Sequence, residues 1–336
     1  KEAIRLNPQY ANAYNAIGLV YNKLCLFKEA EIFYKKTIEI DKSHFRAYNN
    51  LGLIYSYHQQ DVKKGITFFE KAININSKYT DAYWNLHGCA KNIDQAIEYL
   101  NKINKIDKDH EKTKIMTAGL KGFKGDFKDY DFLINSNNSN HPYLTSLKWI
   151  FSLKKIPKIV FSRWDFFNNI INLADKDRVF YEYGVLFGTS FKYLVNHFNR
   201  GYGFDTFTGL PEDWHDSKPK GTYTSFGKVP KIKGGQFIVG KFEDTLPIFF
   251  KVKRDLAGLI NFDADLYSST LCALNYSKDI IDQKTILVFD EFLMNKNWKK
   301  DEFKALNEFC KSFNYIYEVV LISLMTKQVA VKIKRL

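Results

Sequence analysis

Val179-Phe-Tyr-Glu-Tyr-Gly-Val-Leu-Phe-Gly-Thr-Ser-Phe191 and Gly201-Tyr-Gly-Phe-Asp-Thr-Phe-Thr-Gly-Leu210 bound the stretch that decides the fold. Val179 to Tyr183 is a short apolar run with one embedded acid, the pattern of a buried parallel strand. Gly184 and Gly188 follow, and glycine lets a backbone turn tightly and approach a ligand closely. Thr189 and Ser190 stand where a helix should start and could cap its free N–H groups. Phe191, Leu194, Val195 and Phe198 then form a helical apolar face. A second strand, Gly201 to Phe204, ends on Asp205. Strand, glycine turn, helix, strand and acid make half of a doubly wound nucleotide-binding sheet, with the acid positioned for ribose hydroxyls.

The glycine spacing is E-x-G-x-x-x-G-x-S, not G-x-G-x-x-G, so a dinucleotide pyrophosphate cradle is a poor match. The stretch resembles the first motif of class I S-adenosylmethionine-dependent methyltransferases. A plain strand–turn–helix with a glycine in the turn is the alternative reading.

Downstream, Phe237 to Val239 reads as a third strand. Ala257-Gly-Leu-Ile-Asn-Phe-Asp-Ala-Asp265 reads as a fourth, ending on Asp263 and Asp265. Thr285-Ile-Leu-Val-Phe-Asp-Glu-Phe292 reads as a fifth, ending on Asp290 and Glu291. Tyr315–Ile322 and Gln328–Ile333 read as a closing pair of strands. Ligands of open α/β sheets bind outside the carboxyl ends of the strands, and Glu182, Asp205, Asp263, Asp265, Asp290 and Glu291 all fall there. Carboxylates gathered at one point raise each other's pKa unless a cation sits among them, and hard oxygen ligands suit Mg2+. Helix capping is the alternative for some of them, Asp263 in particular. The long polar segment between Asp205 and Gly235 reads as a lid or an insertion.

Four motifs in this order, E-Y-G-V-x-x-G-x-S, G-F-D-T-F-T-G-L-P-E, F-D-A-D-L-Y-S-S-T and V-F-D-E-F, resemble the macrocin O-methyltransferase family over roughly residues 160–336. The resemblance implies transfer of a methyl group from S-adenosylmethionine to a sugar hydroxyl with Mg2+. It implies that Glu182, Gly184, Gly188, Thr189 and Ser190 hold the methionine end of the cofactor. Asp205 and Thr206 would face the ribose, and Phe242 and Glu243 the adenine. Asp263, Asp290 and Glu291 would hold the metal. Where the family has two aspartates, this chain has Asp290-Glu291, which is one methylene longer. Asp265 is the first candidate for the base that takes the hydroxyl proton, and His215 the second.

The N-terminal third repeats. Tyr14, Tyr48 and Tyr83 anchor copies that begin A-Y-N-A-I-G, A-Y-N-N-L-G and A-Y-W-N-L-H-G, spaced 34 and 35 residues apart, which is the tetratricopeptide period. Ala30 with Phe33, Gly65 with Phe68, and Ala96 with Tyr99 mark the second helix of each copy. Residues 1–112 therefore resemble the tetratricopeptide family. Residues 1–8 read as the tail of a preceding copy, so the natural chain is expected to extend further toward its N-terminus. The third copy is about three residues short between Cys89 and Asp94. Most Tyr, Leu and Phe here form core, since each helix pair buries its apolar face only by stacking. Asn15, Asn49, Asn50 and Asn85 are either concave-face binding residues or solvated surface.

Residues 113–178 read as a helical connector, with loops at Lys121–Asp129 and Asn135–Asn140, helices at Tyr143–Leu153 and Arg163–Leu173, and Trp149 and Trp164 as domain-junction packing. Residues 179–336 form the methyltransferase domain. The fold class expected is an α-helical tetratricopeptide solenoid followed by an α/β doubly wound class I methyltransferase sheet, mostly parallel, with a C-terminal antiparallel hairpin.

The net charge of +13 is spread, with +4 on residues 1–112 and +9 on the rest, and only 7 of the 50 basic residues are Arg. Base-edge and phosphate recognition favours the arginine fork, so no nucleic-acid partner is expected. No apolar run is long enough to span a bilayer, and no membrane partner is expected. Cys25, Cys89, Cys272 and Cys310 are scattered, as in a reducing, cytoplasmic setting. The expected partners are a small-molecule or glycan acceptor and a protein or peptide on the concave face of the repeats; a homodimer is left open. Two functions stand side by side. One is a metal-dependent O-methyltransferase acting on a sugar, glycan or glycosylated metabolite. The other is a repeat scaffold whose second domain is inactive or methylates another acceptor, such as a peptide.

Overall fold

A computed structural model describes residues 2–136, 140–215 and 217–335. The chain divides into two compact units. The first comprises Lys1–Ser139 with Phe161–Trp164, and the second Asn140–Val160 with Asp165–Leu336. Of the residues read as a connector, 113–139 and 161–164 go with the first unit and 140–160 and 165–178 with the second. Residues 137–139 of the expected Asn135–Asn140 loop lie outside the described residues, as does Lys1.

In the first unit, α1 (Glu2–Leu6) precedes three helix pairs: α2 (Ala11–Lys23) with α3 (Phe27–Ile40), α4 (Phe45–Leu53) with α5 (Val62–Ile75), and α6 (Thr80–His87) with α7 (Ile93–Ile106). Helices α8 (Glu111–Phe123) and α9 (Lys128–Ile134) continue the array. The loop expected over Lys121–Asp129 shrinks to the turn between them. Small residues do what the repeat pattern implied. A Cβ on Gly65 would stand 2.5 Å from that of Ser56 and 2.9 Å from the Gly52 carbonyl oxygen, so only glycine lets α4 and α5 approach this closely. Ala30, Tyr34, Leu51, Ile54 and Tyr55 pack as one core across the first two pairs. The shortening expected between Cys89 and Asp94 falls instead on helix α6, which has 8 residues where α2 has 13. Trp164 belongs to this unit, and its indole N–H donates to the Ser56 carbonyl at 2.9 Å. The asparagines prove to be more than solvated surface. Asn50 donates to Asn15 at 3.4 Å and Asn85 to Asn49 at 2.8 Å, so side-chain amides link successive repeats, and Asn15 and Asn49 are buried.

The second unit opens with α10 (Pro142–Phe151), β1 (Lys158–Val160) and α11 (Arg163–Leu173). Then come β2 (Val179–Tyr183), α12 (Thr189–Phe198), β3 (Gly201–Asp205), β4 (Gly235–Val239) and α13 (Phe242–Phe249). The rest is β5 (Ala257–Phe262), α14 (Tyr267–Ser277), β6 (Ile286–Phe289), α15 (Glu302–Ser312), β7 (Tyr315–Ser323) and β8 (Val329–Arg335). Among the described residues the sheet has eight strands in the order β1-β7-β8-β6-β5-β2-β3-β4. All neighbours are parallel except β6–β8 and β7–β8. This is the doubly wound sheet with a C-terminal antiparallel pair that the sequence implied, extended by β1, which it did not. Trp149 packs on rings of its own unit, 5.6 Å from Phe292 and 6.0 Å from Trp298 between ring centroids.

Four adjacent parallel strands carry an aromatic ring at their last residue or, in β3, one residue before it. Phe204, Tyr183, Phe262 and Phe289 are paired in register, with stacked centroids 4.8, 5.4 and 5.0 Å apart. Because side chains alternate along a strand, the next residue of each leaves the row together. Those residues are Asp205, Gly184, Asp263 and Asp290.

At the opposite edge, Arg178 grips Asp282 by two parallel hydrogen bonds of 2.8 and 2.9 Å. Arg178 holds the Asp282 carboxyl down at about 2, against 3.8 when unfolded. A depressed folded pKa gives stability that is present above 3.8 and lost as pH falls toward 2. The Asp282 side chain is 35% exposed, so solvent screens the pair, and Asp282→Asn should cost only about 1 kcal/mol at neutral pH. Thermal midpoints of parent and variant should converge as pH is lowered toward 2; a constant gap would refute the ionic origin.

Candidate functional site

The site begins at Gly184, whose φ is +88°. A Cβ there would lie 1.8 Å from the carbonyl oxygen of Asp263. Glycine is required because β2 and β5 remain zipped past their ends, with the Asp263 N–H donating to the Tyr183 carbonyl at 2.8 Å. Leu186, in the same turn, also has positive φ, +52°, an uncommon conformation that functional sites often retain.

Asp205 secures this turn. Its Oδ2 accepts from the backbone N–H groups of Val185 and Leu186 at 2.7 and 2.8 Å, and its Oδ1 from that of Phe207 at 2.6 Å. Thr206 donates its hydroxyl to the Gly209 carbonyl at 2.8 Å. Glu182 is fully buried beneath the turn. It accepts from the Ser190 hydroxyl and, at 3.1 Å, from the Asn261 amide. The cap expected of Thr189 or Ser190 is therefore not made by Ser190. The helix starts after Gly188, which is left-handed and has no side chain, while the Ser190 hydroxyl turns inward to a buried carboxylate that needs a donor. Phe242 is buried and sets its ring 5.5 Å from that of Tyr183. Glu243 is exposed, 3.5 Å from Lys241.

The long segment after Asp205 has no helix or strand among its described residues, yet it is tied down. Gly227 donates to the Phe207 carbonyl at 2.9 Å and Leu210 to the Thr222 carbonyl at 2.8 Å. The Ser268 hydroxyl reaches Glu212 at 2.5 Å. Pro230 and Ile232 lie against Gly188. Phe207, Tyr223 and Phe226 all have φ near +60°, which is rare for bulky residues.

Past the aromatic row the carboxylates of β5 and β6 converge. Burial, then Asp263, Glu291 and Asp290, push the Asp265 carboxyl well up, opposed by Lys218 of the long segment. Asp265 itself sits at φ +61°. Asp290 accepts from the Gln328 amide at 2.7 Å. Glu291 faces Lys327, whose Nζ is 3.1 and 2.8 Å from its two oxygens. Burial works to lower the Lys327 ammonium, and Glu291 more than offsets it. Burial also raises the Tyr143 phenol of α10; Lys327 opposes this and Glu291 adds to it. His215 does not join this group. It is exposed, 3.0 Å from the Ser217 hydroxyl, and its charge acts on Asp301.

Sequence reasoning missed Glu302, the first residue of α15. It is fully buried, and burial followed by Asp290 and Asp265 pushes its carboxyl well up. One signal was available: Glu302 shares the stripe of Ala305, Leu306 and Phe309, the buried face of α15. Lys218, Lys327, Gln328 and Tyr143 had no such signal.

Among the described residues no three His, Cys, Asp or Glu side chains already stand grouped as metal ligands. Burial, and then the surrounding acids, push the carboxyls of Asp265 and Glu302 well up, and Glu302 Oε1 is buried without a hydrogen-bond partner.

Residues 11–44 and 45–79 match the tetratricopeptide repeat family model. No curated protein matches the chain by sequence. Solved structures similar to it include a calicheamicin methyltransferase, CalS11, 19% identical with a TM-score of 0.40 over 61% of this chain and 90% of that one. The O-methyltransferase NovP is 17% identical, with a TM-score of 0.40 over 52% of this chain and 81% of its own. MamA is 23% identical, with a TM-score of 0.33 over 38% and 77%. No helix among the described residues is long and apolar enough to cross a membrane.

Proposed function

We propose that the chain is an S-adenosylmethionine-dependent O-methyltransferase acting on a hydroxyl of a sugar, glycan or glycosylated metabolite, with the tetratricopeptide repeats recruiting a partner or the substrate. One observation carries the enzymatic part. A glycine turn and the carboxylates of Asp205, Asp263 and Asp290 leave the same edge of one parallel sheet, in register. The motifs that resemble macrocin O-methyltransferases narrow the acceptor to a sugar hydroxyl.

Each residue then has work to do. A carboxylate has about four lone-pair sites, and Asp205 spends three on backbone N–H groups, leaving capacity for a ribose hydroxyl. Glu182 acts through Ser190 and Asn261, fixing the floor of the turn. The first N–H groups of α12, from Thr189 on, suit the carboxylate of the methionine moiety. Phe242 and Glu243 would border the adenine. The bound cofactor supplies an electrophilic methyl on sulfonium sulfur. Asp265 is the proposed base, because burial, and then its acidic neighbours, raise its proton affinity above that of an ordinary carboxylate. His215, exposed and 3.0 Å from the Ser217 hydroxyl, ranks behind it. Asp263 and Asp290 would hold Mg2+, which would polarise the acceptor hydroxyl and lower its pKa. Glu291 is the least suited of the three expected ligands, since Lys327 already balances its charge.

Calorimetric titration with S-adenosylhomocysteine tests the reading. The parent should bind, and Asp205→Ala should bind about 10- to 100-fold more weakly, in line with about 1.5–3 kcal/mol for hydrogen bonds to a charged group. Neither heat nor a thermal shift at millimolar ligand would remove the enzyme and leave the repeats as the function.

A further inference from the structure

We propose that the second repeat carries a binding site for an indole side chain with a neighbouring guanidinium, and that this chain fills it with its own Trp164 and Arg163. The proposal concerns the first unit alone and stands or falls apart from the methyltransferase reading.

The repeat lengths show where the site comes from. From the tyrosine anchor to the small residue of the second helix is 16 residues in the first repeat, Tyr14 to Ala30, and 17 in the second, Tyr48 to Gly65. The second repeat must absorb one residue more. It is taken up at the end of α4, which gives way to a π-helical turn over Ile54–His58. Such a turn bonds back five residues rather than four, and single turns of this kind recur at functional sites. Here the Gln59 N–H goes to the Ile54 carbonyl at 3.0 Å and the Asp61 N–H to that of Tyr55 at 2.9 Å. Both amides skip the Ser56 carbonyl, and the Trp164 indole N–H fills it at 2.9 Å.

The acceptor is held in place. The Ser56 hydroxyl donates to the Gly52 carbonyl at 2.8 Å, and its Cβ is the atom that a side chain on Gly65 would strike. A buried carbonyl needs a donor, and the π-helical turn leaves this one to be met from outside the repeat. The next residue, Tyr57, receives Arg163. Nη1 donates to the phenol oxygen at 3.1 Å, and the guanidinium carbon lies 5.3 Å from the ring centroid. His58 closes the turn, stacked on Phe27 of the preceding repeat with centroids 3.5 Å apart. Phe161, Ser162 and Trp164 are buried. Two consecutive residues, more than a hundred positions later in the chain, thus serve two consecutive residues of the turn. One fixed acceptor, one aromatic face for a cation and a buried seat for a flat ring are the elements of a ligand site. An outside peptide reaches the Ser56 carbonyl by displacing Trp164.

Trp164→Ala empties the seat. Indole is the probe, and benzothiophene is the control ring of similar shape without an N–H. By thermal unfolding and calorimetry of the full chain, indole should bind the variant and raise its midpoint by about 2–4 °C, as apolar cavities left by truncation take up ring-shaped ligands. It should bind at least about fivefold more tightly than benzothiophene, because indole alone of the two meets the Ser56 carbonyl. The parent, whose seat is filled, should bind neither. Equal affinity for the two probes, indole binding by the parent as tight as by the variant, or no indole binding by the folded variant overturns the proposal. If Trp164→Ala does not fold, deuterium exchange of the Trp164 indole N–H decides, its signal assigned by its absence from Trp164→Phe. In the parent it should exchange at least about a hundredfold more slowly than in free tryptophan; faster exchange overturns the proposal.

Discussion

Gly184→Ala should destabilise the second unit by about 2–5 kcal/mol and abolish S-adenosylhomocysteine binding. Two terms add. A side chain in the left-handed region costs about 1–2 kcal/mol. The new Cβ would also meet the Asp263 carbonyl oxygen at 1.8 Å, and only backbone movement relieves that, at about 1–3 kcal/mol. Against a typical total of about 5–15 kcal/mol, this is a large share. Gly221→Ala is the control. Its φ is +84° but a Cβ there meets nothing within 4 Å, so it should show the conformational cost alone. Thermal unfolding of the two variants separates the terms; equal midpoints would show that the close approach is not what glycine is for.

Asp290→Asn should lower methyl transfer about a thousandfold while leaving S-adenosylhomocysteine affinity nearly intact. The loss is of the size seen when one preorganised group that stabilises developing charge is removed. The fold should survive, because an asparagine oxygen can still accept from Gln328, as Asp290 does now at 2.7 Å. Chelation should reproduce the variant in the parent, and added Mg2+ should rescue the parent but not the variant. Full turnover in excess chelator would take the cation out of the mechanism and leave Asp263 and Asp265 as an acid–base pair.

Much of this was legible in the sequence because it is local. The repeats announce themselves through a fixed period and through small residues such as Gly65. The strands β2, β3, β5 and β6 are apolar runs stopped by an acid or a glycine, and Asp205, Asp263 and Asp290 fall at their ends in both sequence and structure. What stayed hidden depends on pairing across distance. Lys158–Val160 is three unremarkable residues, and β1 exists only because β7 lies beside it. Lys327 and Gln328 reach the acids because the turn between β7 and β8 brings them there. The asparagines read as either surface or binding face because their partners lie a whole repeat away. Glu302 looks like an ordinary acid at a helix start, and only the buried stripe it shares with Leu306 marks it. The inward turn of the Ser190 hydroxyl answers to a buried Glu182, which no capping rule anticipates.

The strand pairing also sets two tempos of folding. In the first unit, contacts such as Asn85 with Asn49 link neighbouring repeats, so structure can nucleate anywhere and spread by short steps. In the sheet, Val179 must find Ala257 and Lys158 must find Leu321. Such distant closures pay chain entropy before any contact returns it, and they slow the search. The carboxylates of the site meet only when that slower search is finished, whereas the amide links of the repeats are made early and independently of it.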